Sequence, residues 1–452
     1  MSRLSGSELQ EMFLSKRAKT LLHHPQGMGN YFTFKAAVKI LGLDIEDVAP
    51  DGNYNATGAG YYDLAYMANH MGPSDAAIQA QKDATNREVL ATYPPDCSKE
   101  LKKLVAAKKF HRELGDDFEV MGVEGAQGGI GYTYLTFLDE GDEVIVTDPG
   151  YFHFVPAAES SGAKVVKLPL SEKNGYRLDP EEVRAAVTDK TKMIVVCDPV
   201  NPFGTVQTKE ELLEIAKIAR DNNILVFNNI THNTHHTDEE VTQIPMASLD
   251  SEETPMDHVI STSGTSKGYG MAANRVGFLA GHPAVLRGAF LTKMEITKIH
   301  INYPGQFGAI AAMKDTEYVE NCTKIIRRNL EHIQETVDQV EGVEMPVKPA
   351  YGFCMMLDIS GTGTTAQELT VGLLNHGITV TPGDGLGDVG ATDYIRLNYS
   401  HPKIDAFEVF RKALPLAIEE AKSGKYKQGV IDFYKGVGSD RGKEIIQLLE
   451  SK

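Results

Sequence analysis

From about residue 120 to residue 281, short runs of β-branched and apolar residues alternate with stretches whose apolar positions recur at helical spacing. The runs are EVIVTD (143–148), AKVVKLPL (163–170), KMIVVCDP (192–199), ILVFNN (224–229), HVISTSG (258–264) and RVGFLAG (275–281). This alternation predicts βαβ crossovers and a mainly parallel sheet covered on both faces. Within it, Leu212, Leu213, Ile215, Ala216, Ile218 and Ala219 form an apolar stripe that predicts a crossover helix over 208–222. Beyond residue 310, Val319, Cys322, Ile326, Leu330, Ile333, Val337 and Val340 repeat at three and four, which predicts one long amphipathic helix. Strand-like pieces follow at 353–360, 377–383 and 393–400, with helical segments at 404–421 and 441–451, a combination that suits a smaller α+β domain. The first sixty residues carry no clear period, GNYNATGAG (52–60) reads as a loop, and neither a repeat nor a low-complexity segment interrupts the chain.

Composition narrows the function classes. At 452 residues with 42% hydrophobic content, the chain can fill a sizeable core in two domains. Its net charge of -17, with no basic tract, works against phosphate backbones and anionic lipid, so neither nucleic acid nor membrane is an expected partner. No eighteen consecutive apolar residues occur, and MSRLSGSELQEMFLSKRAKT lacks the apolar core of a signal peptide, so the expected location is the cytoplasm. Cys97, Cys197, Cys322 and Cys354 lie far apart without a Cys-x-x-Cys pair, which fits reduced structural thiols.

Candidate chemistry sits at the ends of the predicted strands. Ser266-Lys267-Gly268 stands eight residues before Arg275 in the Asn274–Phe278 stretch, pairing an amine able to form an imine with a guanidinium able to clamp an anion. Glu124-Gly125-Ala126-Gln127-Gly128-Gly129 precedes a helical stretch, so backbone N–H groups at a helix start can cradle a phosphate. Asp148-Pro149-Gly150-Tyr151 puts an aromatic ring at a strand's C-terminal end, where open α/β sheets bind ligands. In Asp198-Pro199-Val200-Asn201-Pro202-Phe203-Gly204 two prolines and a glycine hold the Asn201 amide in a rigid turn, ready to donate to a phenolate-type oxygen.

These motifs, in this order, resemble the class I/II aminotransferases among the fold type I pyridoxal-phosphate enzymes, over about residues 60–410. Gly125, Ala126 and Gln127 are similar to the family's phosphate loop, Tyr151 to its ring-stacking aromatic, Asn201-Pro202-Phe203-Gly204 to its Asn-Pro-Thr-Gly turn, and Lys267 with Arg275 to its Schiff-base lysine and phosphate-binding arginine. Tyr93-Pro94-Pro95 resembles the segment whose tyrosine reaches the partner subunit's phosphate, which implies a homodimer with sites at the interface. Tyr394-Ile395-Arg396-Leu397 resembles the strand whose arginine grips the substrate α-carboxylate. The resemblance implies a seven-stranded, mainly parallel sheet between helices in a large domain (66–309). It also implies a smaller domain at 310–452, and an N-terminal arm with part of the small domain at 1–65. The implied cofactor is pyridoxal 5'-phosphate, the implied activity amino transfer from an α-amino acid, and Lys267 the implied catalytic base.

The chain also departs from that family. In ILVFNNITHNTHH (224–236) the family's aspartate, which faces the cofactor's ring nitrogen, has no counterpart. Spacing from Asn201 puts Asn229 in its place and His232 in that of a tyrosine, while a shift by one would select Asn228 and Thr231. A neutral amide supports a protonated ring less than a carboxylate does, which leaves open a lyase, substitution or cyclisation outcome on the same fold. His235 and His236 read as solvated loop histidines rather than a metal set with His232. Gly264 stands where a phosphate-binding serine is usual, so Ser263, Thr265 or Ser266 is expected to replace it. The stretch 53–66 is expected to be a lid or a surface loop, with Tyr66, Asn69 and His70 facing the substrate.

Overall fold

The computed structural model describes residues 5–27, 30–53, 55–298 and 300–451. Its strands, in chain order, are β1 (Tyr62–Asp63), β2 (Glu119–Glu124), β3 (Glu143–Asp148), β4 (Lys164–Pro169), β5 (Thr191–Cys197), β6 (Leu225–Asn229), β7 (Val259–Gly264), β8 (Val276–Gly281), β9 (Cys354–Asp358), β10 (Ile378–Thr379), β11 (Thr381–Pro382) and β12 (Tyr394–Asn398). Seven of them form one sheet in the order β2-β8-β7-β6-β5-β3-β4. β8 is antiparallel to both its neighbours and the remaining pairings are parallel, so β8 alone runs against the other six.

Strand periodicity divides the sheet's apolar side chains between two cores. Val144, Val146, Met193, Val195 and Phe227 pack on one face with Ile130 and Tyr134 of the helix Gly125–Phe137. Ile145, Ile194, Val196 and Val226 pack on the other face with Leu212, Ile215 and Ile218 of the helix Lys209–Asp221. That helix starts with a capping box in which Thr208 and Glu211 satisfy each other's end of the first turn.

β2 was not among the expected strands. Its sequence, EVMGVE, has a glycine at its centre and a charge at each end, so it reads as the approach to a loop. Close packing explains Gly122: a Cβ there would lie 2.6 Å from the Asp96 carbonyl oxygen. The long amphipathic helix is Thr316–Val337, and Val340 falls in the turn beyond it. It packs over a three-stranded antiparallel sheet, β11-β12-β9, together with the helices Ala366–Asn375 and Asp405–Lys422. The expected strand at 377–383 is two short strands, since β10 pairs with β1 whereas β11 pairs with β12. The pattern also missed the helix Lys427–Val437, whose sequence includes Gly429 and Gly436. No described helix is long and apolar enough to cross a membrane.

The first sixty residues contribute short helices, among them Phe34–Leu41 and Ile45–Val48. Their apolar faces join Tyr426, Val430, Tyr434, Ile445 and Leu449 of the last helices in a separate core. Of the expected lid, Tyr54 lies outside the described residues, and Tyr62 and Asp63 form β1 rather than a loop. Leu64 and Met67 are buried in the core of the smaller sheet. Segment 62–67 is thus tied into the fold by a strand and by core packing.

Candidate active site

Because six strands run the same way, the turns after β2, β3, β5, β6 and β7 emerge at a single edge of the sheet. β8 runs in reverse, so the residue just before it belongs to that edge too. This is the edge at which open α/β sheets bind ligands. It carries Ala126, Gln127, Tyr151, Asn201, His232, Lys267 and Arg275, which line one cleft of two joined lobes. The lobes, of about 130 and 240 Å³, share Tyr151, Asn201 and Lys267.

The smaller lobe is an anion cradle. Gly125 opens its helix at φ +69°, and Glu124 before it provides no side-chain cap, so no side chain of the preceding residue covers the N–H groups of Ala126 and Gln127. Arg275, itself left-handed at φ +53°, is locked to this turn from both sides. Its carbonyl accepts from the Gly125 N–H at 3.1 Å, and its Nη2 donates to the Glu124 carbonyl at 3.1 Å. A Cβ on Gly125 would stand 2.2 Å from Arg275 Nη2, so only glycine admits the guanidinium here. Ala126, Gln127 and Ser266 line the same lobe, whereas Ser263 and Thr265 do not. Tyr151 donates to Gln127 Oε1 at 3.3 Å, which fixes its ring across the cleft.

Lys267 lies at the junction of the lobes, half-buried, with its Nζ donating to the Met67 carbonyl and its own carbonyl accepting from Asn69 Nδ2 at 2.9 Å. Burial, reinforced by the Arg396 guanidinium and then by Arg275, pulls its amine down to about 8. Arg396 on β12 is 3% exposed. Its Nη1 donates to Asn201 Oδ1 at 3.3 Å and its Nη2 to the Ala65 carbonyl at 3.2 Å, while its buried Nε has no protein partner. With Asn201 Oδ1 so engaged, the NH2 end of that amide is its remaining polar group.

Strand period decides between the two asparagines of β6. Asn229 shares the face of Phe227 and lines the cradle lobe, with its Oδ1 accepting from the Thr231 N–H at 3.0 Å and from Thr231 Oγ1 at 2.6 Å. Asn228 shares the face of Val226, bonding the Val196 carbonyl at 3.2 Å and the Met246 N–H at 3.3 Å, away from the cleft. His232 lies in the wall against the Phe353 ring, and Thr231 lines the lobe beside it. Burial, then the charges of Lys267 and Arg396, hold its imidazole well below its ordinary value and therefore neutral. His235 is not solvated as the sequence suggested. It is 1% exposed, with Nδ1 2.9 Å from Thr323 Oγ1 and Nε2 3.0 Å from the Gly268 carbonyl, where it braces the turn after Lys267. His236 is less deeply buried and pairs with Tyr351 in an isolated bridge.

Tyr66 lines the larger lobe, whereas Asn69 supports Lys267 and His70 stands 3.4 Å from Asp63 outside the lining. Tyr93 is away from the cleft, 87% exposed and edge-on to His300. Sequence reasoning missed Tyr31, Phe34 and Phe152, which line the larger lobe. The only signal was the aromatic cluster YFTF before a short helix, since no motif marks that stretch.

Residues 58–413 match the family described as aminotransferase class I and II. The chain is 31% identical over 323 residues to an aspartate aminotransferase of Pyrococcus horikoshii, covering 68% of this chain and 78% of that protein. It is 28% identical over 350 residues to a histidinol-phosphate aminotransferase of Methanosphaera stadtmanae, covering 76% and 88% respectively. A solved mutant aspartate aminotransferase of Thermus thermophilus superposes with a TM-score of 0.73 at 22% identity, over 90% of this chain and 99% of its own, a likeness of fold. These relatives are aminotransferases and do not favour the elimination, substitution or cyclisation alternative. With its sheet, its strand-end loops and its relatives in agreement, the chain is an enzyme of the aminotransferase class I and II family, on the fold type I scaffold.

Proposed function

We propose that the cleft binds pyridoxal 5'-phosphate and that the enzyme transfers the amino group of an α-amino acid to a 2-oxo acid. The carrying observation is the convergence of Lys267 and Arg275, from the connection between β7 and β8, and of Arg396, from the distant β12, on one cleft. The cradle suits the cofactor's phosphate: helix N–H groups at 126 and 127, the Arg275 guanidinium and the Ser266 hydroxyl would supply donors on one side. Tyr151, Asn229 and His232 line the same cleft and would hold the cofactor's ring, the last two as neutral polar groups. When bound, this cofactor supplies an aldehyde that joins amines reversibly and a ring that draws electrons from the adjoining carbon.

The chain's own residues supply the rest. Lys267 is the amine that would hold the aldehyde as a Schiff base. With its proton largely lost from about pH 8 upward, the same amine can act as the base that removes the proton from the substrate Cα. Arg396, fixed through Asn201 and Ala65, would grip the α-carboxylate and orient the Cα–H bond toward that amine. Thr231 already gives Asn229 Oδ1 two donors, so the amide is held in one orientation.

We further infer a cytoplasmic homodimer in which Tyr93 reaches the neighbouring site, with a large domain at 66–309, a small domain at 310–452 and an arm at 1–65. The exposure of Tyr93, whose ring meets His300 edge-on outside its own cleft, supports this reading.

The test is incubation of the purified protein with a panel of amino acids and an oxo-acid acceptor, followed by mass analysis. An oxo acid from the donor is expected; ammonia or a ring-closed amino acid as the product would overturn the reading. Lys267→Ala should abolish turnover together with the cofactor's visible absorption. Borohydride should attach the label to Lys267.

A further inference from the structure

We propose that the larger lobe selects α-amino acids with a bulky uncharged side chain, and that the helix Lys427–Val437 tunes this selectivity by positioning the segment 31–34. The inference rests on the reading of the cleft as an amino-acid site.

Tyr31, Phe34, Tyr66 and Phe152 line this lobe together with Arg396. Phe34 meets Tyr66 edge-on with ring centres 6.3 Å apart, and Tyr31 lies 6.1 Å from Phe152, so two aromatic pairs contribute to the lining. Among the described residues the only charged side chains lining this lobe are Lys267 and Arg396. Both already have roles at Cα and at the α-carboxylate. A second carboxylate on the substrate would meet no cation of its own in this lining, whereas a large apolar group would fill the space.

Tyr31 and Phe34 precede the stretch that matches the family, and the helix Lys427–Val437 follows it. The two meet at Asp384. That buried carboxylate accepts from the Phe32 N–H at 2.8 Å and from the Tyr434 hydroxyl at 2.6 Å through the same Oδ2. The Phe32 ring packs edge-on against Phe433 at 5.1 Å. Next to Asp384, a Cβ on Gly385 would stand 2.7 Å from the Tyr31 ring, so the ring is seated directly on this loop. The tail therefore fixes the backbone between the two wall aromatics, and Tyr434 is a positioning residue that does not touch the substrate.

Steady-state kinetics of the holoenzyme with phenylalanine, leucine, alanine and aspartate test both halves. Phenylalanine or leucine is expected to exceed aspartate in kcat/KM by at least about tenfold, the scale on which pockets of this kind discriminate. Equal or better use of aspartate would overturn the selectivity. Phe34→Ala should lower the preference for phenylalanine over alanine. Tyr434→Phe, which removes only the hydroxyl, is expected to raise KM for phenylalanine several-fold with kcat retained and both constants for alanine unmoved. A lower melting temperature with every KM unchanged would show that the tail merely stabilises the fold, refuting the second half. If no amino acid yields an oxo acid or alters the cofactor spectrum, the site reading itself fails and this proposal with it. Alanine, whose methyl group is too small to fill the aromatic part of the lobe, separates the two failures.

Discussion

Lys267 occupies a place where an ammonium is costly: it is shielded from water and shares its surroundings with two guanidinium groups. An amine that has shed its proton is the form that attacks an aldehyde. The rate at which cofactor-free protein takes up pyridoxal 5'-phosphate should therefore climb as pH rises toward about 8 and level off above it, as followed by absorbance in a stopped-flow mixer. A lysine left at its ordinary value would still be climbing at pH 10. In Arg396→Gln one of those cations is gone, so the plateau should move to higher pH, and kcat/KM for an amino-acid donor should fall by about a hundredfold through loss of the buried carboxylate contact. Much of this residue-level picture was legible in the sequence, because Gln127, Tyr151, Asn201 and Lys267 each stand beside glycine, proline or serine next to a predicted strand end. The choice of Asn229 over Asn228 needed the register of β6, since one residue along a strand exchanges the faces of the sheet. The misreading of His235 has a related cause. A polar stretch rich in His and Thr looks solvated until the helix Thr316–Val337 is packed across it.

At the scale of elements, the anion cradle depends on how closely β8 approaches the turn after β2. Gly277 permits that approach: a Cβ there would lie 2.3 Å from the carbonyl carbon of Gly125. Gly277→Ala should push the two turns apart, destabilise the protein by about 1–3 kcal/mol in chemical denaturation, and weaken cofactor affinity in equilibrium titration. An affinity equal to that of the native protein would mean that the cradle does not hold the phosphate. The strands of the main sheet could be recognised from long apolar runs, except β2, whose glycine and flanking glutamates disguise it. The short N-terminal helices could not. Their burial depends on contacts with the last helices of the chain, nearly four hundred residues away on the order of sequence separation, and no local period reports such a contact.

For the whole molecule, the dimer proposal makes a prediction that the isolated chain does not. Sedimentation should give twice the 49.4 kDa of one chain, and Tyr93→Phe should loosen cofactor binding although the side chain lies far from its own cleft. A monomeric species with full activity would contradict it. Fold class could be read in advance because it rests on a repeated strand-and-helix unit. The wall of the larger lobe could not, because it is assembled from three distant stretches around 31–34, 66 and 152.

The junction at Asp384 divides labour along the chain. On the proposed reading the sheet and its loops hold the reacting groups, while the aromatic segment 31–34 is anchored through Asp384 by Tyr434 and by Arg441, which donates to the Asp384 carbonyl at 2.5 Å. Exchange of the two ends between homologues, or random mutagenesis confined to them, therefore offers a route to new substrate preferences that leaves the chemical apparatus intact.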